Sequence, residues 1–337
     1  MQRCLDLARL AGPAVFPNPM VGCVIVAKGK VIGEGYHRKY GHAHAEVNAI
    51  EAVEDKEKLK GSTLYVSLEP CFHHGKTPPC VELIIRSGIQ RIVIGCTDPN
   101  PKVAGKSIQK LKSLGREVSS GVLEKEAIAL NKRFFTFQLK QRPFIVLKWA
   151  QSKDGYMDRI RSQNEKGVHW ISQPETKTLV HQWRSEEHAI LIGRKTAEVD
   201  NPSLTVREVS GQSPVRVVID SNLQLGENNA VFQGTTPTIV LNKNRSEVVG
   251  NMTLLKMQDI HVKSILNELY QLGICSLMVE GGSRTLHHFI FQNIWDEARV
   301  IVGKDSLHDG LKAPLLSAIP ARKYTFGKDQ IFEYQRT

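Results

Sequence analysis

Two α/β domains in tandem are what this sequence predicts, and three observations carry the prediction. The chain has 337 residues, beyond the length at which a single core usually stops growing. Short apolar runs alternate with segments of helical periodicity along most of it. That alternation restarts once, at Lys140-Gln141-Arg142-Pro143, where a polar helical stretch gives way to a fresh apolar run.

In the first half, residues 5–11 have the spacing of an amphipathic helix rather than the apolar core of a signal segment. Residues 21–27 read as a buried strand, and 30–36 as its hairpin partner across Lys28-Gly29. Helix 45–52, strand 63–67, helix 81–87, strand 91–95 and helix 106–114 follow in order. This succession argues a mixed or parallel sheet covered by helices. Residues 123–140 read as one polar helical segment, and Pro143 sets the boundary between domains 1–142 and 143–337. The second half opens with strand 144–150, helix 174–184 and strands 189–193, 215–219 and 238–241. It continues with helix 262–272, strand 276–280, helix 284–291 and strand 297–302. There is no internal repeat and no low-complexity tract.

The net charge of +11 is dispersed, with no basic arm and no aromatic stacking platform. It therefore favours phosphorylated small molecules, or a solvated basic surface, over nucleic acid as the partner. Six cysteines, at 4, 23, 71, 80, 96 and 275, are too scattered for a disulfide framework and suit a reducing, cytoplasmic setting. No stretch approaches the roughly 18 apolar residues needed to span a membrane.

The chemistry concentrates in His44-Ala45-Glu46, Pro70-Cys71 and Pro79-Cys80. One imidazole and two thiolates can hold Zn²⁺ on three sides and leave the fourth open to water, which marks a catalytic site. Glu46 sits two residues from the His ligand and can carry protons without binding the metal. This is the arrangement of hydrolytic zinc deaminases. Eight residues separate Cys71 from Cys80, where the usual signature has two, so the intervening loop is long enough to bind a ligand itself. A lone Pro-Cys would read as a buried thiol. The His-x-Glu, both Pro-Cys steps and their order favour the metal. His44 and Glu46 fall at the start of one predicted helix, and Cys71 and Cys80 lead into the next.

In the second half, residues 278–286 run from a strand through Gly281-Gly282 into a helix. Glycines let a backbone approach a phosphate, and a helix start offers N–H donors, which suits a dinucleotide pyrophosphate. It is not a G-x-G-x-x-G, and alone a plain tight turn is the commoner explanation. Residues 148–155 and 196–207 also lie at predicted strand ends, and Arg184 and Arg207 are candidate phosphate anchors.

With these residues in view, the chain resembles the bifunctional deaminase/reductase family of riboflavin biosynthesis over essentially its whole length. The resemblance is carried by Pro17-Asn18-Pro19-Met20-Val21-Gly22, by His44-Ala45-Glu46, and by the run from Leu68 to Cys80, including its long Cys spacing. Asp98-Pro99-Asn100-Pro101, Asp154-Gly155, Trp170-Ile171, Asp200-Asn201-Pro202 through Arg207, and Val279-Glu280-Gly281-Gly282 add to it. It implies a cytidine-deaminase-like three-layer α/β domain followed by a dihydrofolate-reductase-like α/β domain. It further implies one catalytic Zn²⁺ on His44, Cys71 and Cys80, with Glu46 moving protons. Asn18, His74, Lys76, Thr77 and Asn100 would then bind a phosphorylated pyrimidine. NADPH would meet Gln151, Trp170, Thr196, Asp200, Ser221, Gly282, Ser283, Arg284 and Thr285. The reductase substrate would lie against Val168, Arg184, Leu204, Arg207 and Glu280. A homo-oligomer is expected, with neither nucleic acid nor membrane as partner. The chain departs from the family pattern at Val168, where a polar Ser is common, at Lys153, where Leu is usual, and in the longer, charged segment 156–166. The alternatives to a full bifunctional enzyme are a deaminase with a weakened or inactive reductase half, and a nucleic-acid base deaminase.

Overall fold

The structure, a computed structural model, describes residues 1–72, 78–101, 103–162 and 165–336. It divides into two compact units, Met1–Gln141 and Arg142–Thr337. Arg142 falls with the second unit because its guanidinium grips Asp296 with both arms, at 2.6 and 2.8 Å.

The first unit runs α1 (Gln2–Arg9), β1 (Gly22–Ala27), β2 (Lys30–Tyr36), α2 (Ala45–Glu51), β3 (Thr63–Leu68) and α3 (Cys80–Arg86). It continues with β4 (Arg91–Cys96), α4 (Lys106–Ser113), β5 (Glu117–Ser120), α5 (Glu124–Leu130) and α6 (Lys132–Lys140). The sheet order is β2-β1-β3-β4-β5, antiparallel at β2/β1 and β1/β3, then parallel through β3, β4 and β5. Alternation along the strands sorts the core. Cys23 and Ile25 of β1 pack with Ala49, Ile84 and Leu111 of α2, α3 and α4. Val24 between them meets Cys4 and Leu7 of α1 on the opposite face, where Leu5, Ala127 and Phe134 also pack. Helices thus cover both faces, giving three layers. At Gly33 and Gly35 an added Cβ would stand 2.3 Å from the Ala49 carbonyl oxygen and 2.4 Å from its nitrogen. The backbone of α2 therefore rests directly on β2, and this sets where α2 begins.

The second unit contains β6 (Phe144–Gln151), β7 (Tyr156–Asp158), α7 (Thr176–Ser185), β8 (Ala189–Gly193), α8 (Arg194–Asp200), β9 (Val215–Ile219), β10 (Thr238–Asn242), β11 (Glu247–Val249) and β12 (Met252–Lys256). Then come α9 (Val262–Gln271), β13 (Ser276–Gly281), α10 (Ser283–Phe291), β14 (Glu297–Val302), β15 (Leu311–Lys312), β16 (Arg322–Phe326) and β17 (Asp329–Gln335). Its large sheet has the order β11-β12-β10-β9-β8-β13-β6-β14-β17-β16, and β15 pairs with β7 separately. From β12 to β14 neighbouring strands are parallel. Ile145 and Leu147 of β6 face α9 and α10, while Phe144 and Val146 face α7. With both faces covered, such strands read as near-continuous apolar runs. No helix among the described residues is long and apolar enough to cross a membrane.

Candidate functional site

In the first unit, the ends of β3 and β4 and the starts of α2 and α3 converge on one cavity of about 380 Å³. His44 is the N-cap of α2, Cys71 follows β3, and Cys80 opens α3. His44 Nδ1 stands 3.2 Å from Cys80 Sγ and 3.5 Å from Cys71 Sγ. The nitrogen–sulfur edge of a tetrahedral zinc site is roughly 3.5 Å, so the three donors already have the spacing of zinc ligands. All three lie within 4.8 Å of one another. The Cys80 backbone N–H donates to Cys71 Sγ, and that thiol is held well below the ordinary range, first by its contact with Cys80 and also by His44. Cys80 is raised in turn by sharing with Cys71 and by burial. A bound dication reverses that rise, because a coordinating thiol is deprotonated outright.

Glu46 lies one position into α2, lines the same cavity and is 3 % exposed. Burial first, then the charge of Cys71, pushes its carboxyl up to about 7. A carboxyl near neutrality can both take and give a proton at working pH. Asn18 and Asn100 line the cavity too, with Phe134 and Phe137 supplying an aromatic wall. His74, Lys76 and Thr77 lie outside the described residues.

Two wall residues have no role assigned from the sequence: Asp98 is read there only as part of the family motif, and His37 is not read at all. Asp98 follows β4 as Glu69 follows β3, and burial pushes its carboxyl up to about 7. Glu69 accepts backbone N–H bonds from Gly105 at 2.9 Å and Ser107 at 3.1 Å, which ties the start of α4 to the end of β3. The repeated acid-Pro step, Glu69-Pro70 and Asp98-Pro99, already present in the family motifs, marks this pair of strand ends. His37 is the other, 2 % exposed, its ring edge-on to His44 with centroids 5.2 Å apart. Burial chiefly lowers its pKa.

In the second unit, the carboxyl ends of β8 and β13 each run straight into a helix, the place where open α/β sheets bind ligands. Gly282 is the N-cap of α10, and Gly281 before it has φ +125. A Cβ on Gly282 would stand 3.0 Å from Thr196 Oγ1, and one on Gly193 would stand 3.1 Å from Thr285 Oγ1. The two glycines therefore keep open a cradle between the starts of α8 and α10, and those starts offer N–H groups without intrahelical partners. This backbone-lined notch fits a dinucleotide phosphate. Ser283 Oγ donates to the Lys312 carbonyl at 3.2 Å, and Arg284 follows it in the first turn of α10.

Beside the cradle, Glu280 takes both arms of Arg184 at 2.8 Å, and Lys148 Nζ stands 3.7 Å from it. Burial opposes the Glu280 charge, but Arg184 and Lys148 overcome it and hold the carboxyl down to about 2. Burial, reinforced by Arg184, lowers the pKa of Lys148. From the sequence, Lys148 is named only as part of the strand-end cluster 148–155, with no role of its own. A lysine inside the apolar run 144–150 was the available signal, since a buried charge demands a partner. Arg184 Nη1 also reaches the Thr205 carbonyl at 3.5 Å, and Arg207 donates to Thr205 Oγ1 at 2.7 Å and to Ser203. The Arg207 backbone N–H donates to His181 Nδ1 at 3.0 Å, which fastens this loop to α7.

The other expected residues are more dispersed. Leu204, at φ +55 and 2 % exposed, packs with Ile190 and Val218 in the core, so its backbone is what a ligand could meet. Asp200 lies 3.4 Å from Arg161, and Gly167 N–H donates to the Val199 carbonyl, which lays Val168 beside the end of α8. Trp170 is exposed, with Lys177 Nζ 4.1 Å over its ring. Gln151 accepts from Trp149 Nε1 at 2.8 Å at the end of β6, and Ser221 lies just past β9, its carbonyl accepting from Lys243 N–H.

Comparison with known proteins agrees with this division of labour. Residues 1–96 match the family model for the cytidine and deoxycytidylate deaminase zinc-binding region, and residues 143–303 match the RibD C-terminal domain. The riboflavin biosynthesis protein RibD of Aquifex aeolicus is 41 % identical over 318 residues, covering 92 % of this chain and 88 % of its own. That of Bacillus amyloliquefaciens is 40 % identical over 88 % of this chain and 81 % of its own. Among solved structures, the Thermotoga maritima diaminohydroxyphosphoribosylaminopyrimidine deaminase/5-amino-6-(5-phosphoribosylamino)uracil reductase superposes with a TM-score of 0.90 at 35 % identity, covering 100 % of this chain and 97 % of its own. Acinetobacter baumannii RibD gives 0.91 at 30 % identity, with the same coverage.

Proposed function

The chain belongs to the RibD family of riboflavin-biosynthesis proteins, and from that membership we propose how its own residues divide two successive reactions. It is a bifunctional enzyme, a zinc-dependent deaminase and an NADPH-dependent reductase. The first unit removes the 2-amino group of 2,5-diamino-6-(5-phosphoribosylamino)pyrimidin-4(3H)-one as ammonia. The second reduces the ribosyl chain of the resulting uracil to ribityl, giving 5-amino-6-(5-phosphoribitylamino)uracil. The observation that carries the first assignment is the triangle of His44, Cys71 and Cys80 with buried Glu46 on the same cavity.

Bound Zn²⁺ supplies the Lewis acidity that brings the pKa of water toward neutrality. His44, Cys71 and Cys80 hold it. Glu46 takes a proton from the attacking water and returns one to the departing ammonia, a role suited to a carboxyl near 7. Asn18 meets the pyrimidine edge, Asn100 binds beside it, and His74, Lys76 and Thr77 grip the ribose phosphate. In the second unit NADPH supplies the hydride. Gly282, Ser283, Arg284 and Thr285 cradle its phosphates, and Gln151, Trp170, Thr196, Asp200 and Ser221 complete its contacts. Arg207 anchors the substrate phosphate, and Arg184, clamped by Glu280, lines the substrate site with Val168 and the Leu204 backbone. Lys148, held beside Glu280 and with its pKa lowered by burial, is a group able to give up a proton during the reduction.

The partner is a phosphorylated pyrimidine, and the same reading takes the chain as a cytoplasmic homo-oligomer, in keeping with six cysteines that form no disulfide. Replacing Glu46 with Gln tests the assignment of the first unit. Zinc content should stay at one per chain while ammonia release falls by at least about 10²-fold. Undiminished ammonia release would remove Glu46 from the mechanism.

A further inference from the structure

A hydrogen-bond relay in the wall of the first-unit cavity fixes which polar atom Asn18 presents to it. The Ala43 carbonyl oxygen can only accept, and it lies 3.1 Å from His37 Nδ1, so that nitrogen carries the ring proton. In the neutral imidazole Nε2 is then the acceptor, and it faces Asn18 Nδ2 at 3.1 Å. An amide oxygen turned to that lone pair would oppose two acceptors, so the NH₂ end of Asn18 points at His37. The Asn18 backbone is tied as well, its N–H donating to the Val15 carbonyl at 2.8 Å. Asn18 lines the cavity with His44 and Glu46, and its Oδ1 makes no hydrogen bond among the described residues. With the His37 ring 2 % exposed, water has little access to loosen the relay.

We propose that His37 is a positioning residue for the deamination: it locks the Asn18 amide with Oδ1 toward the cavity, so that the site accepts a hydrogen bond from an N–H of the substrate's ring edge. The inference rests on the reading of Asn18 as the residue that meets the pyrimidine. Its physical content is a choice of polarity. An aminopyrimidinone offers N–H donors along its amidine edge, and a fixed acceptor selects them. A freely turning amide would accept either kind of edge and would spend binding energy on being ordered.

The test is a double-mutant cycle on the zinc-loaded full chain, reading kcat/KM for ammonia release, zinc content, and NADPH-dependent reduction of the already deaminated pyrimidine as a check of folding. Asn18→Ala should lower kcat/KM on the order of tenfold, and His37→Ala by a similar factor. The double variant should fall no more than about twofold below Asn18→Ala, because His37 acts through Asn18. His37→Gln, whose Oε1 can stand in for Nε2 as acceptor, should return to within about threefold of the parent. Single effects that multiply in the double variant, a His37→Gln as poor as His37→Ala, or zinc lost from His37→Ala would each overturn the positioning role while leaving Asn18 in place. Unchanged ammonia release by Asn18→Ala would sink both the reading of Asn18 and the inference built on it.

Discussion

Replacing Glu280 with Gln tests the buried trio of the second unit most sharply, because its cost follows from the structure by two routes. The side chains of Lys148, Glu280 and Arg184 are only 13 %, 7 % and 12 % exposed, so a neutral Gln leaves two cations buried without their counter-charge. Breaking a buried pair by removing one partner costs about 3–5 kcal/mol. Independently, the Glu280 carboxyl is held down to about 2 from an ordinary 4.5, a drop worth about 3 kcal/mol of folding stability. The sign of the pH dependence follows from that depression. The contribution is fully present above the unfolded value and fades as pH falls from 4.5 toward about 2. All four tryptophans, Trp149, Trp170, Trp183 and Trp295, belong to the second unit, so their fluorescence reports its unfolding. Urea melts at pH 7 should show the variant weaker by about 3 kcal/mol, and its thermal midpoint lower by roughly 6–12 °C. At pH 3 the gap between the two proteins should have narrowed. A deficit below about 1 kcal/mol, or one that does not change with pH, would refute the reasoning that Glu280 is stabilised as a buried anion.

Three other outcomes are expected. Gly35→Ala places a Cβ 2.4 Å from the Ala49 nitrogen and 2.6 Å from the Ala45 carbonyl oxygen. It should push α2 off β2, destabilise the protein by roughly 1–3 kcal/mol, and weaken zinc retention on dialysis, measured by melt and metal analysis. Gly282→Ala fills the cradle at Thr196. It should raise the KM for NADPH on the order of tenfold without changing ammonia release, since a 1 Å misplacement at such a site is costly. Stripping zinc with a chelator should stop ammonia release while reduction of the deaminated pyrimidine continues, and zinc alone should restore the first activity.

What the sequence revealed, and what it hid, divides along physical lines. The strands Phe144–Gln151 and Ala189–Gly193 announce themselves because both their faces are covered and every position is free to be apolar. Glu117–Ser120 does not, for it is an edge strand with Val118 as its lone apolar residue. The hairpin Arg322–Phe326 with Asp329–Gln335 is hidden in the same way by its charged, outward positions. Residues 123–140 read as one helix and are two, broken at Asn131. Its buried amide accepts from the Met20 N–H and donates to the Met20 carbonyl, a contact 111 residues away that leaves no local trace. The metal ligands were legible because zinc chemistry restricts residue types and order. The meeting of Lys148 with Glu280 was not, because it depends on β6 and β13 lying side by side in parallel register. The His37 relay depends on one backbone carbonyl, that of Ala43, and sequence has no symbol for it.

The measurement that tests the central claim most directly follows ammonia release and NADPH oxidation separately, on zinc-loaded protein given the diaminopyrimidine phosphoribosyl substrate. The account predicts both signals, with NADPH oxidation trailing ammonia. It also predicts that Glu46→Ala abolishes both from this substrate yet leaves NADPH oxidation intact when the deaminated pyrimidine is supplied. NADPH consumed without prior ammonia release, or ammonia released with no reduction of the deaminated product, would contradict a chain that performs the two reactions in succession.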